Sequence, residues 1–173
     1  MRLILRNILV LSLLALPLGV SWAENDEAKY AETINIFKQA GESGSFFGNS
    51  YGYAVFPTIG KGGIGIGGAR GKGLLYEGGN ITGEVTLTQL TVGFQWGGQA
   101  YSEFIFFKDD VALADFKRGN YELGAQASAV AVTAGASADA NYSGGVAIFT
   151  QAKGGLMYEA SVGGQKFKVE MKE

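Results

Sequence analysis

The 173-residue chain contains no cysteine and no histidine. Without cysteine there is no disulfide, no thiolate nucleophile and no residue for a lipoprotein anchor. Without histidine, the Ser-His-Asp and Cys-His systems and the usual zinc sites are excluded, together with the commonest general base. Proline is limited to Pro17 and Pro57. Charged residues make up only 17% of the chain, at a net charge of −2. A weakly acidic chain lacks the broad basic footprint that nucleic-acid binding needs, so any anion site must be local. The carboxylates Glu84, Glu103, Asp109, Asp110 and Glu122 are separated by turns, and no pair has a spacing suited to acid–base work. Composition therefore points away from an enzyme, and no catalytic residue, metal or cofactor is expected.

Glycine is abundant, at 28 residues. It crowds the stretch from Tyr53 to Gly73, YAVFPTIGKGGIGIGGARGKG, where eight of the sixteen residues after Pro57 are glycine. Ordering glycine costs conformational entropy, so this density suits backbones that bend sharply or pass closely. The alternation with Ile64 and Ile66 has the period of a strand. The segment reads as tightly curved sheet with a small basic cluster. Lys61, Arg70 and Lys72, beside the backbone N–H groups of Gly62, Gly63, Gly65 and Gly67, suit a phosphate headgroup if two strands here form a hairpin. Lys153, in another turn, is a fourth candidate. The plainer alternative is that these are ordinary solubilising cations. Gly63, Gly65 and Gly68 also satisfy G-x-G-x-x-G, but a dinucleotide site needs a helix next, and β-like sequence follows instead.

The first residues read as a secretory signal: basic Arg2 and Arg6, an apolar run from Ile8 to Val20, and a Ser21-Trp22-Ala23 cleavage pattern. Thirteen residues are short for a membrane span. Cleavage near Ala23 would leave one domain, 24–173, with 12 basic against 16 acidic residues and a net charge of −4. Glu24 to Gly44 has helical periodicity, with Tyr30, Ile34 and Phe37 on one stripe, Asn25 or Asp26 as cap, and Gly41 or Gly44 as stop. Strands are expected at Tyr51–Phe56 (stopped by Pro57), Gly62–Ala69 and Gly71–Glu77, then a turn at Gly78-Gly79-Asn80. Val85–Trp96 alternates, and the shift in its apolar phase suggests a bulge near Thr88–Gln89. In Gln99–Phe107 the run Phe104-Ile105-Phe106-Phe107 is apolar on both phases, as in a strand buried on both faces. The aromatics from Phe94 to Phe107 suit either a core or a lipid cavity. Asp109–Arg118 reads as a short helix capped by Asp109 or Asp110. An alanine-rich strand is expected over Tyr121–Gly135, a loop over Gly135–Gly145, a hairpin from Val146–Thr150 and Gly155–Val162, and an edge strand at Lys166–Glu170.

Four blocks in order, AVFPTIGKGGIGIGGARGKGLLYEGG, VGFQWGGQAYSEFIFFKDDVALADF, YELGAQASAVAVTAG and AKGGLMYEASVGGQKF, resemble those of the SYLF domain, across nearly the whole chain after Ala23. Phe56-Pro57 and Lys61-Gly62-Gly63 match the family's first block, and Gly154-Gly155-Leu156 its last. The resemblance implies a lipid-binding module, associated in eukaryotic members with phosphoinositide membranes and in some with actin. Bacterial members are mostly exported. This chain has Gly83-Glu84-Val85-Thr86 where many members carry an aromatic-proline-serine segment, and its first helix is nearly neutral. An exported protein would not meet actin.

The expected fold is α+β: an N-terminal helix, a strongly curved antiparallel sheet closing toward a barrel or sandwich, and a second short helix. The expected partner is an anionic phospholipid or membrane surface, in the periplasm or envelope. The alternatives are a structural or assembly partner in the envelope and a small outer-membrane β-barrel.

Overall fold

A computed structural model describes residues 20–93, 98–132, 141–154 and 161–173. Its elements are α1 (Val20–Gln39), α2 (Phe46–Asn49), β1 (Gly52–Glu77), β2 (Asn80–Gly93), β3 (Gln99–Phe107), α3 (Asp110–Lys117), β4 (Tyr121–Glu122), β5 (Val130–Ala131), β6 (Val146–Lys153) and β7 (Gln165–Met171). Among the described residues one sheet has the order β4-β7-β2-β1-β3-β6-β5. All pairings are antiparallel except β5 with β6. The sheet curls into a half-barrel, so the α+β class is as the sequence implies.

β1 organises the molecule. It runs for 26 residues, pairing with β3 through its first half and with β2 through its second. The three separate strands read from the sequence are therefore one, and Pro57 does not end the first. The proline lies at a register shift between Phe56 and Ile59, where a missing N–H is tolerated. Its carbonyl accepts a hydrogen bond from Ser102 Oγ at 2.9 Å. Gly63 adopts φ +148°, and a Cβ there would lie 2.2 Å from Gly67 Cα. Farther along, Gly71 and Gly73 come against Ile59 and Phe56, so the two halves of β1 pass at backbone distance. Glycine density encodes both the bend and the crossing.

On β2 the expected bulge at Thr88–Gln89 is absent: the register with β1 runs unbroken from Gly83 to Gly93, and the irregularity falls opposite Leu75/Tyr76. The inward phase is Val85, Leu87 and Gln89. Gln89 is accommodated inside because its Nε2 donates to the carbonyls of Ser161 and Gly163, both at 2.9 Å. Leu90 consequently faces out. Phe94 and Trp96 lie outside the described residues.

Two cores form on opposite faces of β3. Tyr101, Ile105 and Phe107 join Phe56, Leu87 and Phe167 in the interior of the half-barrel, with Leu113 and Phe116 of α3. Phe104 and Phe106 point the other way, onto Phe37 of α1, Phe46 of α2 and Phe149. The rings of Phe37 and Phe104 lie 4.6 Å apart. The two-sided run Phe104–Phe107 is thus core on both sides, and these aromatics do not line a lipid cavity. Each such side chain contributes about 1.5–3 kcal/mol by burial. Helices on the outer face of β3 and β6 also occupy the place where a membrane barrel would present its lipid-facing band.

α1 is already helical at Val20, the first described residue, so Asn25 and Asp26 lie inside the helix and not at its cap position. Its stripe is as read: Phe37 is buried, with Tyr30 and Ile34 packed beside it. α3 also follows its sequence signals. The Asp109 carboxylate accepts from the Ala112 N–H at 2.9 Å, and the chain leaves through Gly119 (φ +70°) and Asn120 (φ +81°). Asp109→Ala is expected to cost about 1 kcal/mol, read as a lower urea midpoint at unchanged slope.

Of the alanine-rich strand expected over Tyr121–Gly135, the described part, residues 121–132, is not one continuous strand. Two-residue β4 and β5 stand at its ends, with a turn closed by Ala127 N–H to Gly124 O at 2.9 Å between them. Alanine has low strand propensity, yet Ala127 and Ala129 still pack on the interior core. Residues 133–140, within the expected loop and strand, lie outside the described residues. So do residues 155–160 of the expected hairpin. β6 instead sits between β3 and β5. β7 pairs with β2 along its whole length, and on its other side β4 covers only Lys166 and Phe167.

Candidate functional site

Strand alternation and pairing build the site on the outer face of β1, β2 and β7. Where Gly71 and Gly73 face inward, Arg70 and Lys72 must face out. The registers place Arg70 opposite Thr88 and Thr88 opposite Lys166; the next rung is Lys72–Thr86–Lys168, and the next Leu74–Glu84–Glu170. α1 passes over this face, and Tyr30 Oη donates to the Lys72 carbonyl at 3.4 Å.

Two adjoining cavities lie between helix and sheet. The larger, ≈ 680 Å³, is lined by residues including Arg70, Lys72, Thr86, Lys168 and Lys172. The smaller, ≈ 510 Å³, reaches Pro57, Thr58 and Gly60. Asp26, Tyr30, Arg70 and Lys72 line both. Several surrounding charges are already paired: Lys29 with Asp26 (3.1 Å), Lys168 with Glu170 (2.7 Å) and Lys166 with Glu122 (3.6 Å). Among the described residues Arg70 and Lys72 have no ion pair. Burial, then Asp26, pushes the Tyr30 hydroxyl up to about 12, so it remains a neutral donor. The groove therefore offers two cations without an ion pair among the described residues, threonine hydroxyls and the apolar flanks of Leu74 and Ile81, with the carboxylates Asp26, Glu27, Glu84 and Glu170 also on its wall.

Of the residues singled out from the sequence, Arg70 and Lys72 come together, through period-two alternation on one strand and not through a hairpin. Lys153 reaches the rim, its Nζ donating to Thr58 Oγ1 at 3.1 Å. Lys61 lines neither cavity. It shares the inward parity of Ile59, and partial burial lowers its pKa. Gly62, Gly63, Gly65 and Gly67 make the bend and lie away from both cavities; Gly60, Gly71 and Gly73 are the glycines at their walls. Sequence reading missed Tyr30, Thr86, Lys168 and Lys172 as cavity residues. The Lys166/Lys168 alternation was visible, but the pairing of β7 with β2 that brings Lys168 to Lys72 was not.

A separate polar cluster is sealed inside the half-barrel. Glu103 is fully buried and accepts from Gln165 Nε2 at 2.9 Å; the same amide donates to Tyr101 Oη at 3.2 Å. Burial raises the Glu103 pKa to about 8, with the Gln165 bond acting in the opposite direction.

A family model described as Ysc84, Las17-binding protein actin regulator, matches residues 88–173. The match begins after the glycine-rich segment, so Arg70 and Lys72 lie outside it while Lys153 and Lys168 lie within. The protein named Beta cell expansion factor A, from Aeromonas veronii, is 28% identical over 142 residues, covering 79% of this chain and 52% of its own length. The chain thus spans about half the length of that curated relative.

Proposed function

The chain belongs to the SYLF (Ysc84) family, and from that premise we propose that it is a non-enzymatic lipid-binding protein whose groove takes the phosphate of an anionic phospholipid. The family is one of binding domains and not of enzymes. The observation that carries the proposal is the pair Arg70 and Lys72, without ion pairs among the described residues, on the wall of a groove with apolar flanks. Phosphate recognition by Arg and Lys is charge-assisted, and the adjacent Thr86 hydroxyl supplies a further donor. Lys172 reinforces the local potential, and Lys153 stands at the far rim.

This reading has the chain exported, with signal cleavage near Ala23, and working at an envelope membrane. Actin, named in the family description, is not its partner there.

Flotation with phosphatidylglycerol-containing vesicles tests the proposal. A basic residue near an anionic surface contributes about 1 kcal/mol. The Arg70→Ala/Lys72→Ala variant is therefore expected to bind roughly tenfold more weakly or worse, with most of the salt dependence removed. Lys61→Ala, altering a cation outside the groove, is expected to bind like wild type. Equal flotation of wild type and the double variant at low salt would remove the groove from the mechanism.

A further inference from the structure

Ile66 and Leu90 are the most exposed large apolar side chains among the described residues, at 69% and 75%. They stand one diagonal step apart on the outer face that carries the groove, since Ile66 pairs with Val92 and Gly68 with Leu90. Gly68 offers Leu90 no cross-strand cover. A lone exposed leucine needs no explanation; the order of what surrounds this pair does.

Moving along the strands from the pair, the outer face meets Arg70–Thr88–Lys166, then Lys72–Thr86–Lys168, then Leu74–Glu84–Glu170. At about 3.3 Å per residue, Leu90 lies about 7 Å from the first cationic rung, about 13 Å from the second and about 20 Å from the carboxylates. Apolar carbon, cation, then anion is the order that matches a bilayer leaflet read outward: acyl chain, phosphate, water. Interfacial elements sink their apolar faces about 5–10 Å below the headgroup boundary, and arginine and lysine stems extend to reach phosphates from there.

We infer that the protein docks on an anionic bilayer with the glycine bend of β1 downward, Ile66 and Leu90 among the acyl chains, and Arg70 and Lys72 at the phosphates. This pose rests on the lipid reading above and adds its orientation and depth. It favours anionic lipid because Lys166 and Lys168 are matched by Glu122 and Glu170, while Arg70 and Lys72, although Asp26, Glu27 and Glu84 share the groove wall, form no ion pair among the described residues. The groove and the apolar pair then meet one leaflet together, the groove taking a headgroup while the pair anchors the edge.

The absence of cysteine makes the pose directly measurable. Single cysteines at Ile66→Cys, Leu90→Cys and Glu84→Cys each carry an environment-sensitive fluorophore. The proteins are mixed with phosphatidylcholine vesicles with and without phosphatidylglycerol, some bearing an acyl-chain nitroxide. On the anionic vesicles the labels at 66 and 90 are expected to shift to the blue, brighten severalfold and be quenched by the nitroxide, while the label at 84 stays aqueous. Ile66→Ser/Leu90→Ser is expected to lower partitioning by tenfold or more with an unchanged far-UV spectrum, because both sites are exposed. Co-sedimentation with the labels at 66 and 90 still in water overturns the pose and leaves the lipid reading standing. No association with either vesicle overturns both.

Discussion

From about pH 4.5 to about pH 8 the protein is expected to lose stability steadily, and Glu103→Gln is expected to remove most of that loss. The cause is the sealed carboxyl of the half-barrel, whose pKa rises from 4.5 to about 8 because its charged form is stripped of water. In the unfolded chain Glu103 is ionised throughout this window; in the folded chain it keeps its proton. The folded state therefore binds more protons, and stability falls as pH rises until the folded group also ionises near pH 8. At 1.36 kcal/mol per unit, the full interval corresponds to about 5 kcal/mol, an upper scale for one buried group. The only counterweight described is the Gln165 amide at 2.9 Å.

Urea midpoints at several pH values, with slopes checked for constancy, measure the effect. A chain without histidine or cysteine has few other side chains titrating in that interval, so the slope is readable without subtraction. Glu103→Gln keeps the shape and removes the ionisation. It should be more stable than wild type above pH 8 and nearly level across the window. A wild-type midpoint that does not change between pH 5 and pH 8 would sink the assignment.

Neither Glu103 nor Gln89 was identifiable as an interior residue from pattern. Alternation makes a polar residue on an apolar phase look like a phase change, which is why a bulge was expected at Thr88–Gln89. The actual solution is a polar residue paid for by two backbone carbonyls that arrive from 72 and 74 residues away. Local signals fared better. Asp109, a short apolar run and Gly119 specified α3 because capping and termination are settled within ten residues. The Tyr30/Ile34/Phe37 stripe likewise fixed the buried face of α1. Phe104–Phe107 announced two cores because no single face of a strand holds four consecutive apolar residues. At the site, Arg70 and Lys72 share a face through period two, whereas the sequence reading joins them, with Lys61, through a hairpin that is in fact one continuous strand. Their neighbours Lys168 and Lys172 depended on strand order, which β7 reaches only after the chain has completed the rest of the sheet.

Gly73→Ala is expected to cost more than about 3 kcal/mol, at or beyond the upper end for overpacking, and to weaken lipid binding as well. An added Cβ would lie 2.6 Å from the Val55 carbonyl oxygen and 2.6 Å from Phe56 Cδ1. The ring can turn aside, but the carbonyl is backbone within the pairing of β1 and β3, so the halves of β1 must separate. Gly71→Ala is the milder case: its first contact is Ile59 Cγ1 at 2.6 Å, a side-chain atom, and the nearest carbonyl oxygen, that of Thr58, is 3.2 Å away. Gly60 and Gly62 have nothing within 4 Å of an added Cβ. Alanine there is expected to change stability by less than about 1 kcal/mol, with reduced unfolded-state entropy favouring the variant. Thermal and urea unfolding of the four variants should rank them Gly73 worst, Gly71 next, and Gly60 and Gly62 together near wild type. Phe56→Leu should not rescue Gly73→Ala, because the carbonyl contact remains. Since the inward turn of Gly73 holds Lys72 outward over Thr86, separation of the halves should also blunt vesicle binding under conditions where the variant is still folded. A Gly73→Ala protein as stable as wild type would mean that the two halves of β1 do not cross at backbone distance, and the groove above them would lose its floor.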